Sequence, residues 1–242
     1  MTGSRTIAVI WDYDGTLADT RHKNIKVTSR ILKAVTGKDA SHFPALRSLV
    51  AYQEANHRVF NWRELYRNEF GLDAAETERA GSMWTEFQRS DPTPVPLFEG
   101  IAETLHALAG TPHGIVSQNC SQQITAALTV HQIVARFAYV VGYAEVAPER
   151  QKPHPDGLLH CIERLTASTA GTVFYIGDHE TDMRCAMEAN RKLAGEGSAV
   201  RIVSIGALYG HGAGDHGAGW QAQPDYLARE PGDIVRIVRQ LG

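Results

Sequence analysis

Two hydropathy patterns divide the chain. Short apolar runs bounded by turn residues predict buried strands at Ile7-Ala8-Val9-Ile10, His113 to Ser117, Tyr139-Val140-Val141, Thr172 to Ile176 and Ala199 to Ser204. From Gly100 onward these alternate with stretches whose apolar residues recur every three or four positions, as on one face of a helix. The predicted helices are Ile101 to Leu108, Gln122 to Leu128, Pro155 to Leu165, Thr181 to Arg191 and Gly232 to Leu241. Strands alternating with helices imply a parallel sheet covered on both faces. The expected fold class is α/β, a doubly wound parallel sheet.

One long stretch breaks the alternation. From about Arg21 to Arg89 only helical spacing occurs: Ile25, Thr28, Ile31, Leu32 and Val35, then Leu46, Leu49, Val50 and Gln53, then Trp62, Leu65, Tyr66 and Phe70, then Ala80, Met83, Trp84 and Phe87. Gly37, Pro44 and Gly71-Leu72-Asp73 punctuate these runs as helix ends do. Asp91-Pro92-Thr93-Pro94-Val95-Pro96 reads as a stiff connector, because proline fixes φ and disfavours helix before it. The pattern therefore predicts an α/β core at 1–19 and 95–242 and an inserted all-helical domain at 20–94.

Composition narrows the function classes. The 242 residues are 43% hydrophobic and 21% charged, as in soluble globular proteins. Net charge is −3 with Lys and Arg scattered, so no basic footprint for nucleic acid is visible. Three widely spaced cysteines, Cys120, Cys161 and Cys185, argue against a disulfide framework and for a reducing compartment. No apolar run has the length of a membrane span and no signal-peptide pattern opens the chain. A cytoplasmic protein with no membrane partner is expected.

Chemistry gathers where the predicted strands end. Asp12-Tyr13-Asp14-Gly15-Thr16 follows the first, Ser117 closes the second, and Gly177-Asp178-His179-Glu180-Thr181-Asp182 follows the fourth. Lys152 lies in Gln151-Lys152-Pro153-His154-Pro155-Asp156, between the third strand and a helix. Open α/β sheets bind ligands outside the carboxyl ends of their strands. Carboxylates one residue apart repel each other, and a hard divalent cation relieves that repulsion. Each signal has an ordinary explanation as a turn, a cap or a surface charge. Four of them at one rim point to a single site.

In order and placement these stretches resemble the four motifs of the haloacid dehalogenase-like hydrolase superfamily: DxDGT (here Asp12 to Thr16), Ser or Thr after a strand (Ser117), Lys-Pro-x-Pro (Lys152 to Pro155) and GDxxxD (Gly177 to Asp182). Pro96-Leu97-Phe98-Glu99-Gly100 is similar to the family's re-entry into the core after a helical cap. The resemblance implies that Asp12 is a nucleophile forming an aspartyl-phosphate and that Asp14 is the acid and base. It implies Mg²⁺ on the Asp12 carboxylate, the Asp14 backbone carbonyl and Asp178, with Asp182 holding a water or the loop. Ser117, Lys152, the backbone at Tyr13, and Gln118 would hold phosphate, and Thr16 would orient Asp14. Such a protein is a Mg²⁺-dependent phosphatase of the phosphoglycolate phosphatase-like branch, acting on a small phosphorylated metabolite as a monomer or homodimer.

Ser117 is followed by Gln118-Asn119, whereas many relatives carry Asn or another small polar residue directly after the hydroxyl. A sugar-phosphate mutase shares all four motifs but usually carries an aliphatic residue where Thr16 stands. Asp14 argues against a dehalogenase and a phosphonate-cleaving enzyme, and a non-catalytic binding protein on this scaffold is a further alternative. The Gly/His-rich stretch 210–219 lacks the Lys-Ser/Thr ending of a phosphate loop and reads as a surface loop. Trp62, Tyr66 and Trp84 read as core, Arg58, Arg63 and Arg67 as a solvated face, and His179 as a loop residue. Cys120 lacks a paired base.

Overall fold

The computed structural model describes residues 5–168, 170–210 and 219–242. After strand β1 (Thr6–Trp11) the chain enters helices α1 (Arg21–Thr36), α2 (Leu49–His57), α3 (Trp62–Glu64) and α4 (Ala74–Ser90). It continues as α5 (Ile101–Ala107), β2 (His113–Val116), α6 (Ser121–Val130), β3 (Phe137–Val141), α7 (Asp156–Leu165) and β4 (Ala170–Gly177). Then come α8 (Glu180–Gly195), β5 (Ala199–Ala207), β6 (Tyr226–Ala228) and α9 (Pro231–Leu241).

The six strands form one sheet in the order β3-β2-β1-β4-β5-β6, with every neighbouring pair parallel. Central parallel strands are buried on both faces, which explains why β1 is apolar without a break from Ile7 and why its Ala8 to Trp11 have no exposed surface. Ala8, Ile10, Val116, Val173 and Tyr175 join α7 and α8 in one apolar cluster. Residues of opposite parity face the other side. There the Trp11 indole donates to His113 Nδ1 at 3.0 Å, and His113 Nε2 lies 3.2 Å from the Leu108 carbonyl. An indole N–H only donates, so Nδ1 accepts and Nε2 carries the proton. Burial holds the His113 pKa below its ordinary value.

The strand order reverses at β1: the chain proceeds outward to β2 and β3, then returns to β4 on the other side. A crevice opens at such a switch point, beyond the carboxyl ends of the flanking strands. All five expected strands are present. The sixth, β6, escaped the sequence pattern because it is three residues long and its first two are exposed.

The chain divides into two compact units, residues up to Asp19 with Leu97–Gly242, and Thr20–Pro96. The second unit is all helical and has its own core, including Val27, Ile31, Leu32, Phe43, Tyr52, Tyr66 and Phe70. Trp62 and Trp84 pack against that core. Arg58 pairs with Glu69 and Arg63 with Glu78 on the surface, while Arg67 is exposed. Asp73 and Glu76 close a reciprocal cap at the start of α4. No helix among the described residues is long and apolar enough to cross a membrane. Most of the Gly/His stretch, residues 211–218, lies outside the described residues.

Candidate active site

The site begins where β1 ends. The Asp12 N–H donates to the Ile176 carbonyl at 2.7 Å, so its backbone stays tied to β4. The chain then turns: Leu17 and Ala18 N–H both donate to the Tyr13 carbonyl, at 3.0 and 3.1 Å. Gly15 takes φ +80° inside this turn, and a Cβ there would lie 2.1 Å from Asp178 Oδ2. Only glycine fits that conformation and that approach. Asp178 follows β4 directly, and the Thr16 hydroxyl reaches it at 3.4 Å. The turn thus aims the Thr16 hydroxyl across to the β4 end.

Lys152 is buried, and its Nζ lies 2.7 Å from Asp12 Oδ1 and 2.7 Å from Asp182 Oδ1. Asp182 Oδ1 also accepts from the Tyr175 hydroxyl at 2.8 Å, and Oδ2 from the His179 N–H at 3.2 Å. Burial pulls the Lys152 pKa down, but Asp12 and Asp182 more than offset it and hold the ammonium above its ordinary value. Burial raises the Asp12 pKa; Lys152 opposes the rise, while Asp182, Asp178 and Asp14 add to it. Negative charge thus exceeds positive at the strand ends.

Carboxylate oxygens of Asp12, Asp178 and Asp182 lie within 4.8 Å of one another, a group able to hold a metal ion. The donors are all hard oxygens, which suit Mg²⁺ or Ca²⁺. Three protein donors engage Asp182 within this group.

The loop after β2 supplies the other side. Ser117 N–H donates to the Val141 carbonyl at 2.9 Å, and Ser117 Oγ lies 3.5 Å from Asp14 Oδ2. The Gln118 side chain donates to the Lys152 carbonyl at 2.7 Å, tying this loop to the lysine loop. The Tyr13 side chain is buried, which raises its phenol pKa. The structure thus gathers Asp12, Asp14, Ser117, Lys152, Asp178 and Asp182 into adjoining contacts, with Gln118 joined through the Lys152 backbone.

Sequence reasoning missed Asn119, whose amide donates to both oxygens of Asp14. Its place two residues after Ser117 was the available signal. It also missed Tyr175, which its apolar run disguises as core, and Tyr209, which lies in the turn after β5. The Tyr209 hydroxyl donates to the Thr16 carbonyl at 2.7 Å, and its ring meets Phe98 edge-on. His179, in the loop before α8, also caps that helix, its Nδ1 accepting from the Thr181 N–H at 3.0 Å. Burial pushes the Cys161 and Cys185 thiols up to about 12, which makes both inert.

Residues 9–195 match the haloacid dehalogenase-like hydrolase family. The chain belongs to that family and is a hydrolase by descent. Pyrophosphatase PpaX of Bacillus velezensis is 26% identical over 243 residues, covering 98% of each chain. Phosphoglycolate phosphatase of Escherichia coli K12 is 31% identical over 141 residues, spanning 57% of this chain and 50% of that protein. Two solved structures share the fold. A predicted phosphatase from Clostridium acetobutylicum has TM-score 0.75 at 17% identity, covering 98% of this chain and 100% of that one. A haloacid dehalogenase-like family protein from Streptococcus pneumoniae has TM-score 0.70 at 18% identity, covering 96% and 98%.

Proposed function

We propose that the protein is a Mg²⁺-dependent phosphatase that hydrolyses a small phosphate ester through an aspartyl-phosphate on Asp12. The observation that supports this reading is the buried Lys152 ammonium 2.7 Å from Asp12 Oδ1. The ammonium favours the ionised Asp12, the form that attacks. An Asp12 oxygen donates its electron pair to phosphorus while the bond from phosphorus to the leaving oxygen breaks. Asp14 gives that oxygen its proton. Asp14, now ionised, takes a proton from water as the water attacks the aspartyl-phosphate, releasing phosphate and restoring Asp12. Lys152 supplies charge, and Ser117 with Gln118 donors, beside the transferring oxygens. Asp12 and Asp178 with the Asp14 carbonyl would hold Mg²⁺, which supplies neutralisation of the phosphoryl charge when bound.

Inorganic pyrophosphate is the second reading, favoured by the match to a pyrophosphatase along 98% of both chains. Phosphate release from phosphoglycolate, sugar phosphates and pyrophosphate, with Mg²⁺ and with chelator, tests both for the wild type and Asp12→Asn. Metal-dependent release that Asp12→Asn abolishes supports the mechanism, and the best substrate separates the readings. Equal release by both proteins would remove Asp12 from the reaction.

A further inference from the structure

Resting on the acid role of Asp14 just proposed, we infer that Asn119 is a positioning residue that fixes the plane of the Asp14 carboxylate for proton delivery to the leaving group. Asn119 is 8% exposed and stands 105 residues from Asp14 in sequence. Its Nδ2 lies 3.3 Å from Asp14 Oδ1 and 3.1 Å from Oδ2. The orientation of the amide follows from its other end. Asn119 Oδ1 lies 2.8 Å from the Cys120 N–H, a group that only donates, so the NH₂ must be the end that faces Asp14.

The backbone of Asn119 reinforces this arrangement. Its N–H donates to Ser117 Oγ at 3.1 Å, which leaves the serine proton to point toward Asp14 Oδ2 at 3.5 Å. Its carbonyl accepts from the Tyr143 N–H at 3.0 Å, anchoring the loop to the end of β3. Every polar group of Asn119 is thus engaged, and the one aimed at the site meets Asp14. An amide that spans both carboxylate oxygens sets the rotation of Asp14 about its Cβ–Cγ bond. That rotation decides which oxygen presents the proton to the departing group.

The consequence depends on the leaving group. An alkoxide needs a proton as its bond to phosphorus breaks, whereas a p-nitrophenolate departs without one. The quantity to compare is kcat/KM for an alkyl phosphate and for p-nitrophenyl phosphate, because it reports the first half-reaction. Asn119→Asp keeps the acceptor for the Cys120 N–H while losing the donor to Asp14; Asn119→Ala loses both. Asp14→Asn serves as the reference, and thermal midpoints check folding.

We expect the Asn119 variants to lose about 10²-fold in kcat/KM on the alkyl phosphate, the low end of what general acid catalysis contributes. On the aryl phosphate the loss should be a few-fold at most. Equal losses on both substrates in the Asn119 variants, with the leaving-group pattern kept in Asp14→Asn, would overturn the inference alone. Equal losses in Asp14→Asn would overturn the acid role of Asp14, and the role of Asn119 with it.

Discussion

Lys152 and Asp182 meet at 2.7 Å with both side chains buried, and the same Asp182 oxygen accepts from Tyr175. Asp182 therefore acts as a fixed anion on the lysine. Its other oxygen takes the His179 N–H at the start of α8, so helix, strand and lysine loop share one carboxylate. A buried ammonium held this way keeps its charge and its place beside Asp12.

Lys152→Met should cost about 3–5 kcal/mol, because it leaves Asp12 and Asp182 buried without their cation. Asp182→Asn should cost less, about 1–3 kcal/mol, since Asn can still accept from Tyr175 and Asp12 still faces the ammonium. Urea unfolding in chelator measures both. The reverse ranking would contradict the clamp described above, and both variants should lose most of their turnover.

Mg²⁺ should raise the thermal midpoint of the wild type, because a ligand that binds only the folded state stabilises it by mass action, about 2.7 kcal/mol at a hundred times Kd. Asp178→Asn should show little or no shift at the same concentration. An undiminished shift in that variant would place the cation elsewhere. This readout is independent of turnover.

Gly15→Ala should be severe for its size. The left-handed conformation at φ +80° costs an alanine roughly 1–2 kcal/mol. Its Cβ must also displace the Asp178 carboxylate, which would otherwise lie 2.1 Å away. Loss of activity accompanied by loss of the Mg²⁺-induced thermal shift is the expected result. A variant with wild-type rates would show that the turn and Asp178 can separate without harm.

His113 should make the fold sensitive to acid. Its folded pKa lies below the ordinary value of 6.5, so above that value it is neutral in both states and contributes no slope. As pH falls below 6.5 the unfolded chain takes a proton that the folded chain refuses, and stability drops by up to about 1.4 kcal/mol per pH unit. The drop ends near the folded pKa. His113→Gln retains an acceptor for Trp11 and a donor for Leu108 but does not titrate. Its unfolding free energy between pH 7 and 5 should fall less steeply than that of the wild type, and an identical slope would refute the assignment.

The motif Asp12 to Thr16 and the acidic stretch Asp178 to Asp182 were legible because each is contiguous and follows a buried apolar run. The α/β core was legible for the same reason, since short unbroken apolar runs and apolar residues at period 3.6 leave different marks. Asn119 was not, because a side chain 105 residues from Asp14 shows its role only when the sheet brings β1 and β2 together. Tyr175 was hidden inside an apolar strand, where a phenol reads as packing until its hydroxyl finds a partner.

The sequence by itself determined five of the six strands, the helical insert and the residue types at those strand ends, because these depend on local hydropathy patterns and on covalent neighbours. Tertiary structure alone decided which donor serves which carboxylate. Thr16 turns to Asp178, Asn119 takes Asp14, and Lys152 bridges Asp12 and Asp182. Hydrogen bonds form over about 3 Å, and only the parallel sheet, with its order reversing at β1, brings residues so distant in the chain within that reach.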